Sequence, residues 1–177
     1  VVANALENLI KDASKIMIMG HTNPDIDSMG SSMGVYRIAR SLGKKAYIID
    51  STETTTLQNF KESLAQEPEY EDVLINKEVA EENIDKETLI VVVDTHKTTY
   101  VEAPELLKKT NKIVIIDHHR RSADYIENAT LTFQEVYASS AAELVTELLQ
   151  YTKAKIDLKT IEAESLYAGI MMDTKNF

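Results

Sequence analysis

The sequence predicts an α/β domain, a mainly parallel sheet flanked by helices. Three observations carry that prediction. Leu89-Ile90-Val91-Val92-Val93 and Ile113-Val114-Ile115-Ile116 are continuous apolar runs rich in β-branched residues, the pattern of strands buried on both faces of a parallel sheet. Segments with helical spacing fall between and after the apolar runs, as in a succession of βα units. A polar residue (His21, Asp50, Asp94 or Asp117) follows each of four apolar runs within two positions. In such sheets, ligands bind at the carboxyl ends of the strands.

The elements follow in chain order. Ile16-Met17-Ile18-Met19 and Ala46-Tyr47-Ile48-Ile49 read as the first two strands. Between them, Val35, Ile38, Ala39 and Leu42 share one helical face, with Ser28 expected as N-cap and Gly43 as C-cap. Residues 51–88 are polar and acidic, and are expected to form short helices and loops. After the two strong runs, Ala141, Leu144, Val145, Leu148 and Leu149 form a second helical face, opened by a capping box of Ser140 and Glu143. A last helix is expected from Asp157 as N-cap, with Leu158, Ile161, Ser165, Ala168 and Met172 on its inner face. No repeat and no Pro/Gly/Ser-rich linker divides the chain, so residues 1–177 are expected to be one domain.

Composition narrows the function. The 177 residues suffice for one core, and 44% hydrophobic with 27% charged residues excludes wholesale disorder. A formal net charge of −10 disfavours binding to long nucleic acid, because the surface repels a phosphate backbone. A phosphate ligand would need a local positive centre such as bound metal. The absence of cysteine excludes disulfides, thiolate zinc sites and cysteine nucleophiles. No apolar run is long enough to span a membrane. The chain opens on Val1-Val2 without methionine, as expected of a piece of a longer protein.

Four segments carry candidate chemistry. Gly20-His21-Thr22-Asn23-Pro24-Asp25-Ile26-Asp27-Ser28 joins a strand to a helix. A capped polar turn explains Asn23, Pro24 and Ser28 but not a histidine crowded with two carboxylates, and Asp25 and Asp27 are read as serving two neighbouring ions. Asp94-Thr95-His96, taken alone, reads as a strand end with a turn-forming aspartate. Asp117-His118-His119-Arg120-Arg121 is harder to assign to a solvated loop. Asp173 lies near the end of the last helix, where a carboxylate opposes the helix dipole. Together they are stronger. All four histidines lie just past expected strand ends. Imidazole and carboxylate donors without thiolate suit Mn²⁺, with Mg²⁺, Co²⁺, Fe²⁺ or Zn²⁺ as alternatives. Four aspartates match the charge of two divalent ions, the usual apparatus for phosphate-ester hydrolysis.

The order His-x₃-Asp-x-Asp-Ser, strand-Asp, Asp-His-His and distal Asp resembles the DHH phosphoesterase superfamily. Gly20 to Ser31, Val93-Asp94-Thr95-His96, Asp117 to Arg121 and Gly169 to Phe177 are most similar to its membrane-anchored cyclic-di-AMP phosphodiesterases. The resemblance implies a DHH catalytic domain, lacking here the substrate-binding domain that follows it in relatives. It implies that His21 and Asp25 bind one metal ion, Asp27, His118 and Asp173 bind the other, and Asp94 bridges both. His119 would assist the leaving oxygen, Asp117 would orient the histidines, and Asn23, Ser28, Arg120 and Arg121 are candidates for substrate phosphate. His96 is left without an assignment beyond support. The implied reaction opens cyclic-di-AMP to linear 5′-pApA with a hydroxide activated between two ions, most fittingly Mn²⁺. The implied partner is a cyclic dinucleotide, with no direct membrane contact by this segment and the parent anchored so that the domain is cytoplasmic. The oligomeric state stays open, a dimer among the candidates. Rival readings are short oligoribonucleotides, 3′-phosphoadenosine 5′-phosphate or pyrophosphate as substrate, a non-catalytic metal-binding regulatory module, and a purely structural domain.

Overall fold

In the computed structural model of the chain, the described residues are 1–51, 55 and 57–174, with side chains described through residue 172. The strands are β1 (Ile16–Met19), β2 (Ala46–Ile49), β3 (Leu74–Ile75), β4 (Leu89–Val93), β5 (Lys112–Asp117) and β6 (Leu131–Gln134). The helices are α1 (Val2–Asp12), α2 (Ile26–Ser41), α3 (Gln58–Ala65), α4 (Lys77–Asn83), α5 (Ala141–Tyr151) and α6 (Thr160–Thr174). Short 3₁₀ turns at Pro68–Tyr70 and Pro104–Lys108 complete the fold. All strand pairs are parallel, and their order is β3-β2-β1-β4-β5-β6.

The continuous apolar runs follow from burial on two faces. Ile16, Ile18, Val91, Val93, Val114 and Ile116 join a core with residues of α1, α2, α5 and α6. Their neighbours Met17, Met19, Ile90, Val92, Ile113 and Ile115 join a second core with Ala80, Val101, Ala103, Leu106 and Ile126. Since successive strand residues point to opposite faces, both sets must be apolar.

Helix α2 ends as expected. Gly43 takes φ 78°, while its amide donates to the Arg40 carbonyl and the Lys44 amide donates to that of Ala39, a Schellman closure. At the other end, Asp25 rather than Ser28 is the N-cap, accepting from the Ser28 amide at 2.9 Å. Helix α6 begins at Thr160, not after Asp157. Of the expected inner face Ser165 is buried, and Leu158 and Ile161 pack partly buried against the core, but Glu162, Leu166 and Gly169 complete the buried face, because it is set by two features of α2. A Cβ on Gly30 would stand 2.3 Å from the Ser165 carbonyl oxygen, so only glycine admits this approach. Arg37 reaches Glu162 with two bonds of 2.8 Å, while the Tyr70 hydroxyl donates to Glu162 at 2.7 Å. Helix α1 and strands β3 and β6 were not expected from the sequence. The α1 face was nevertheless legible: Ala3, Leu6, Glu7 and Ile10 are buried at helical spacing.

Strands β1-β2-β3 run outward to one side and β4-β5-β6 to the other. The order reverses between β1 and β4, which opens a crevice above their carboxyl ends. His21 and Asp94 stand at those two ends.

Candidate metal centre

The turn after β1 is held from outside. The Thr22 amide donates to the Tyr100 carbonyl and the Glu102 amide to that of Gly20, both at 2.9 Å, and His21 bridges Val101. The Tyr100 ring stacks on the His21 ring, with centroids 5.1 Å apart and planes at 8°. His21 Nδ1 donates to the Thr22 carbonyl at 2.8 Å. That bond sets the tautomer, so Nε2 carries the lone pair of the neutral ring. Nε2 faces Asp94 Oδ2 at 3.2 Å and Asp25 Oδ1 at 3.8 Å. Asp27 points elsewhere, taking amide protons from Ala141 (3.1 Å) and Ala142 (2.8 Å) at the start of α5.

Asp94 follows β4 with φ 64°, a left-handed conformation costing a non-glycine residue on the order of 1–3 kcal/mol. Its buried carboxylate accepts from Ser28 Oγ at 2.9 Å through Oδ2, while Oδ1 meets His118 Nε2 at 3.1 Å. His118 Nε2 also lies 3.6 Å from Asp27 Oδ2. Asp117, at the end of β5, spends its oxygens on the His118 amide (2.9 Å), His119 Nδ1 (2.7 Å) and His96 Nδ1 (2.6 Å). His119 itself has a 54% exposed side chain.

The electrostatics follow from this crowding. Burial would lower the His21 imidazole, but Asp25 and Asp94 outweigh it and hold the ring up at about 11. Burial, and then the Asp94 charge, push Asp27 up to about 8. Burial acts against ionised Asp94 too, yet hydrogen bonds from His118, His21 and Ser28 hold it well below the usual carboxylate range. His118 is raised because Asp94 outweighs its burial, and His119 is raised by its bond to Asp117.

Such a cluster fits divalent cations. His21, Asp25 and Asp94 offer donor atoms within 4.8 Å of one another, and Asp94, Asp117, His118 and His119 form a second such set. Within the second set Asp117 is already committed to three donors, whereas Asp27 faces His118. Two buried carboxylates, Asp27 and Asp94, repel each other, and a cation between them would relieve the repulsion. His21, Asp25, Asp27, Asp94, Tyr100, His118 and His119 line one cavity of ≈ 260 Å³.

The structure therefore brings together His21, Asp25, Asp27, Asp94, His118 and His119. The side chain of Asp173 lies outside the described residues; its backbone is in the last turn of α6, one turn beyond Gly169, which packs on Asp27. Ser28 turns to Asp94. Asn23 is exposed at a turn with φ 53°. Arg120 is exposed, and Arg121 lies over the Tyr125 ring at 4.0 Å, so the cavity wall does not include either. Tyr100 was missed, because nothing local marks a tyrosine that reaches the site through a loop bridge.

Residues 15–170 match the family model described as "DHH family, N-terminal domain". A "Cyclic-di-AMP phosphodiesterase GdpP" of Geobacillus thermodenitrificans is 40% identical over 179 residues, covering 100% of this chain and 27% of that protein. A "Bifunctional oligoribonuclease and PAP phosphatase NrnA" of Mycoplasma genitalium is 27% identical over 172 residues, covering 96% of this chain and 49% of that protein. The crystal structure of an exopolyphosphatase-related protein from Bacteroides fragilis superposes with a TM-score of 0.77 at 25% identity, covering 99% of this chain and 50% of that one. The chain thus spans about a quarter of the length of the first curated relatives it matches.

Proposed function

The chain belongs to the DHH family, and from that premise we propose that it is the metal-binding catalytic domain of a phosphodiesterase that opens cyclic-di-AMP to linear 5′-pApA. The observation that carries the reading is Asp94: one strained carboxylate, at the reversal point of the sheet, shared between His21 on one side and His118 on the other.

His21 and Asp25 would hold one divalent cation, Asp27, His118 and Asp173 a second, with Asp94 common to both. Imidazole and carboxylate donors favour Mn²⁺. Bound there, the ions supply Lewis-acid neutralisation of phosphate charge and acidify water. Ser28 holds Asp94 in place from the first turn of α2. His119 is anchored through Nδ1 on Asp117 and lines the cavity, and its Nε2 is assigned to the substrate. It donates the proton to the departing 3′ oxygen as the phosphorus–oxygen bond breaks, while the hydroxyl derived from water remains on phosphorus. Arg120 and Asn23 remain candidates for phosphate contacts in the loaded complex. Base recognition is assigned to a further domain of the parent, and the parent is proposed to be membrane-anchored with this domain cytoplasmic. Among the described residues no helix is long and apolar enough to cross a membrane.

The similarity to the oligoribonuclease and PAP phosphatase favours a second reading, in which the same centre acts on short oligoribonucleotides or 3′-phosphoadenosine 5′-phosphate. The test is chromatographic product analysis of cyclic-di-AMP, a diribonucleotide and 3′-phosphoadenosine 5′-phosphate with Mn²⁺, using this chain and its longer parent, with Asp94→Asn as control. Release of pApA, lost in the variant, supports the first reading. Turnover of the other substrates alone selects the second. Bound Mn²⁺ without turnover of any substrate by the parent rejects both in favour of a regulatory metal-binding module.

A further inference from the structure

His96 is buried on the loop after β4 and has no part in the metal donor sets. The Ser122 amide donates to its Nε2 at 3.0 Å. A backbone amide offers only a proton, so Nε2 is the bare acceptor and the ring proton sits on Nδ1. Nδ1 stands 2.6 Å from Asp117 Oδ2, a short charge-assisted donation to a fully buried carboxylate. The other Asp117 oxygen accepts from the His118 amide and from His119 Nδ1.

We infer that His96 is a positioning residue: oriented by Ser122, it locks the Asp117 carboxylate, which in turn keeps His119 protonated at Nδ1 and leaves its Nε2 to the substrate. The inference rests on the role of His119 proposed above. Other contacts separate this function from general support. The His119 carbonyl is held by Gln134 Nε2 at 2.6 Å, an amide that lies 3.4 Å from His96 Nδ1, and His118 Nε2 is held by Asp94. Removing the His96 ring therefore frees the Asp117 carboxylate, and with it the His119 ring, and costs the Ser122 amide its acceptor, while the Ser122 hydroxyl keeps the Asp124 carbonyl and the metal donors keep their anchors.

Three variants test it. His96→Leu removes the donor, His96→Asn keeps an amide donor at the Nδ1 position, and His96→Gln carries its amide at the distant Nε2 position. With cyclic-di-AMP and Mn²⁺, His96→Leu is expected to lower kcat by about 10–100-fold with KM and Mn²⁺ affinity within about twofold. His96→Asn is expected to recover most of the loss, and His96→Gln is not. In a His119→Ala background, His96→Leu is expected to add no further loss, since the two act as one unit. Independently of any substrate, ¹⁵N spectra of imidazole-labelled protein, recorded where the His119 ring is neutral, are expected to show it as one Nδ1–H tautomer, becoming a mixture in His96→Leu and His96→Gln only; the added proton of the charged ring then sits on Nε2. Additive kinetic losses, or a His119 signal unchanged by both substitutions, overturn the inference. If wild-type protein turns over no phosphodiester, the proposed function fails, and the His119 tautomer still decides whether His96 positions it. If His96→Leu does not fold, the contrast between Asn and Gln gives the same decision.

Discussion

At Asp94 the backbone leaves β4 in a left-handed turn, and the carboxylate so aimed meets Ser28 Oγ and two imidazoles. Fixing one carboxylate orientation is what a shared ligand requires, because each oxygen must face a different donor group. Ser28→Ala is expected to weaken Mn²⁺ binding by about 10–100-fold with little loss of fold, measured by calorimetric titration; unchanged affinity would show that Asp94 needs no such support. The same crowding sets a pH dependence. His21, raised from 6.5 to about 11, and Asp27, raised from 3.8 to about 8, keep protons that the unfolded chain has already released. Their contribution to metal-free stability is therefore lost as pH rises through those windows. Asp94 has the opposite sign, its contribution being lost only as pH falls below the usual carboxylate range. Metal-free protein is expected to lose thermal stability from pH 6 to 9. Saturating Mn²⁺ flattens that slope, because cation binding displaces the same protons. Melting curves with and without Mn²⁺ check this, and a metal-free Tm that climbs over the interval would contradict it.

Helices α2 and α6 meet without a conventional apolar seam. Glycine at position 30 lets the backbones touch, and a buried Arg37–Glu162 pair with Tyr70 fixes their register. Gly30→Ala gains helix propensity of about 1 kcal/mol, yet its Cβ meets the Ser165 carbonyl oxygen, so a net destabilisation of about 1–3 kcal/mol is expected in urea unfolding. Glu162→Ala takes two of the Arg37 bonds and the Tyr70 hydroxyl's acceptor, leaving Arg37 only the partly exposed Glu69, and is expected to cost about 3 kcal/mol by the same measurement. These contacts explain why the inner face expected for α6 is displaced: an apolar stripe was visible, but a buried glutamate paired across two helices has no local signature. The α5 start differs in a smaller way. Ser140 caps the Glu143 amide at 3.0 Å as expected, while the Glu143 side chain returns to the Ser139 amide rather than to Ser140.

For the molecule as a whole, a chain of formal charge −10 gathers three buried aspartates, Asp27, Asp94 and Asp117, at one end of the sheet. Divalent cations there reduce both the global repulsion and the local one, so metal and fold are coupled. With free Mn²⁺ at 100 times the dissociation constant, each site is expected to add about 2.7 kcal/mol. For a chain of this size that is a Tm rise of roughly 5–10 °C per site, read by calorimetry. No rise at any Mn²⁺ concentration would remove the metal reading altogether.

Strands β1, β2, β4 and β5, and the polar residues at their ends, were legible in the sequence because burial on both faces demands continuous apolar runs and the parallel order gathers carboxyl ends. Edge strand β6 was not, since Leu131-Thr132-Phe133-Gln134 is only partly buried and so carries no continuous run. The six residues that meet at the cavity were likewise legible, through their types and their places after strands. What tertiary structure alone decided is their division of labour. Ser28 became a holder of Asp94 instead of a cap, Arg121 was drawn onto Tyr125, Tyr100 came to stack on His21, and His96 joined Asp117. Except for Arg121 on Tyr125, which share one loop, each of these depends on a contact between segments distant in the chain, and such a contact leaves no periodicity behind it.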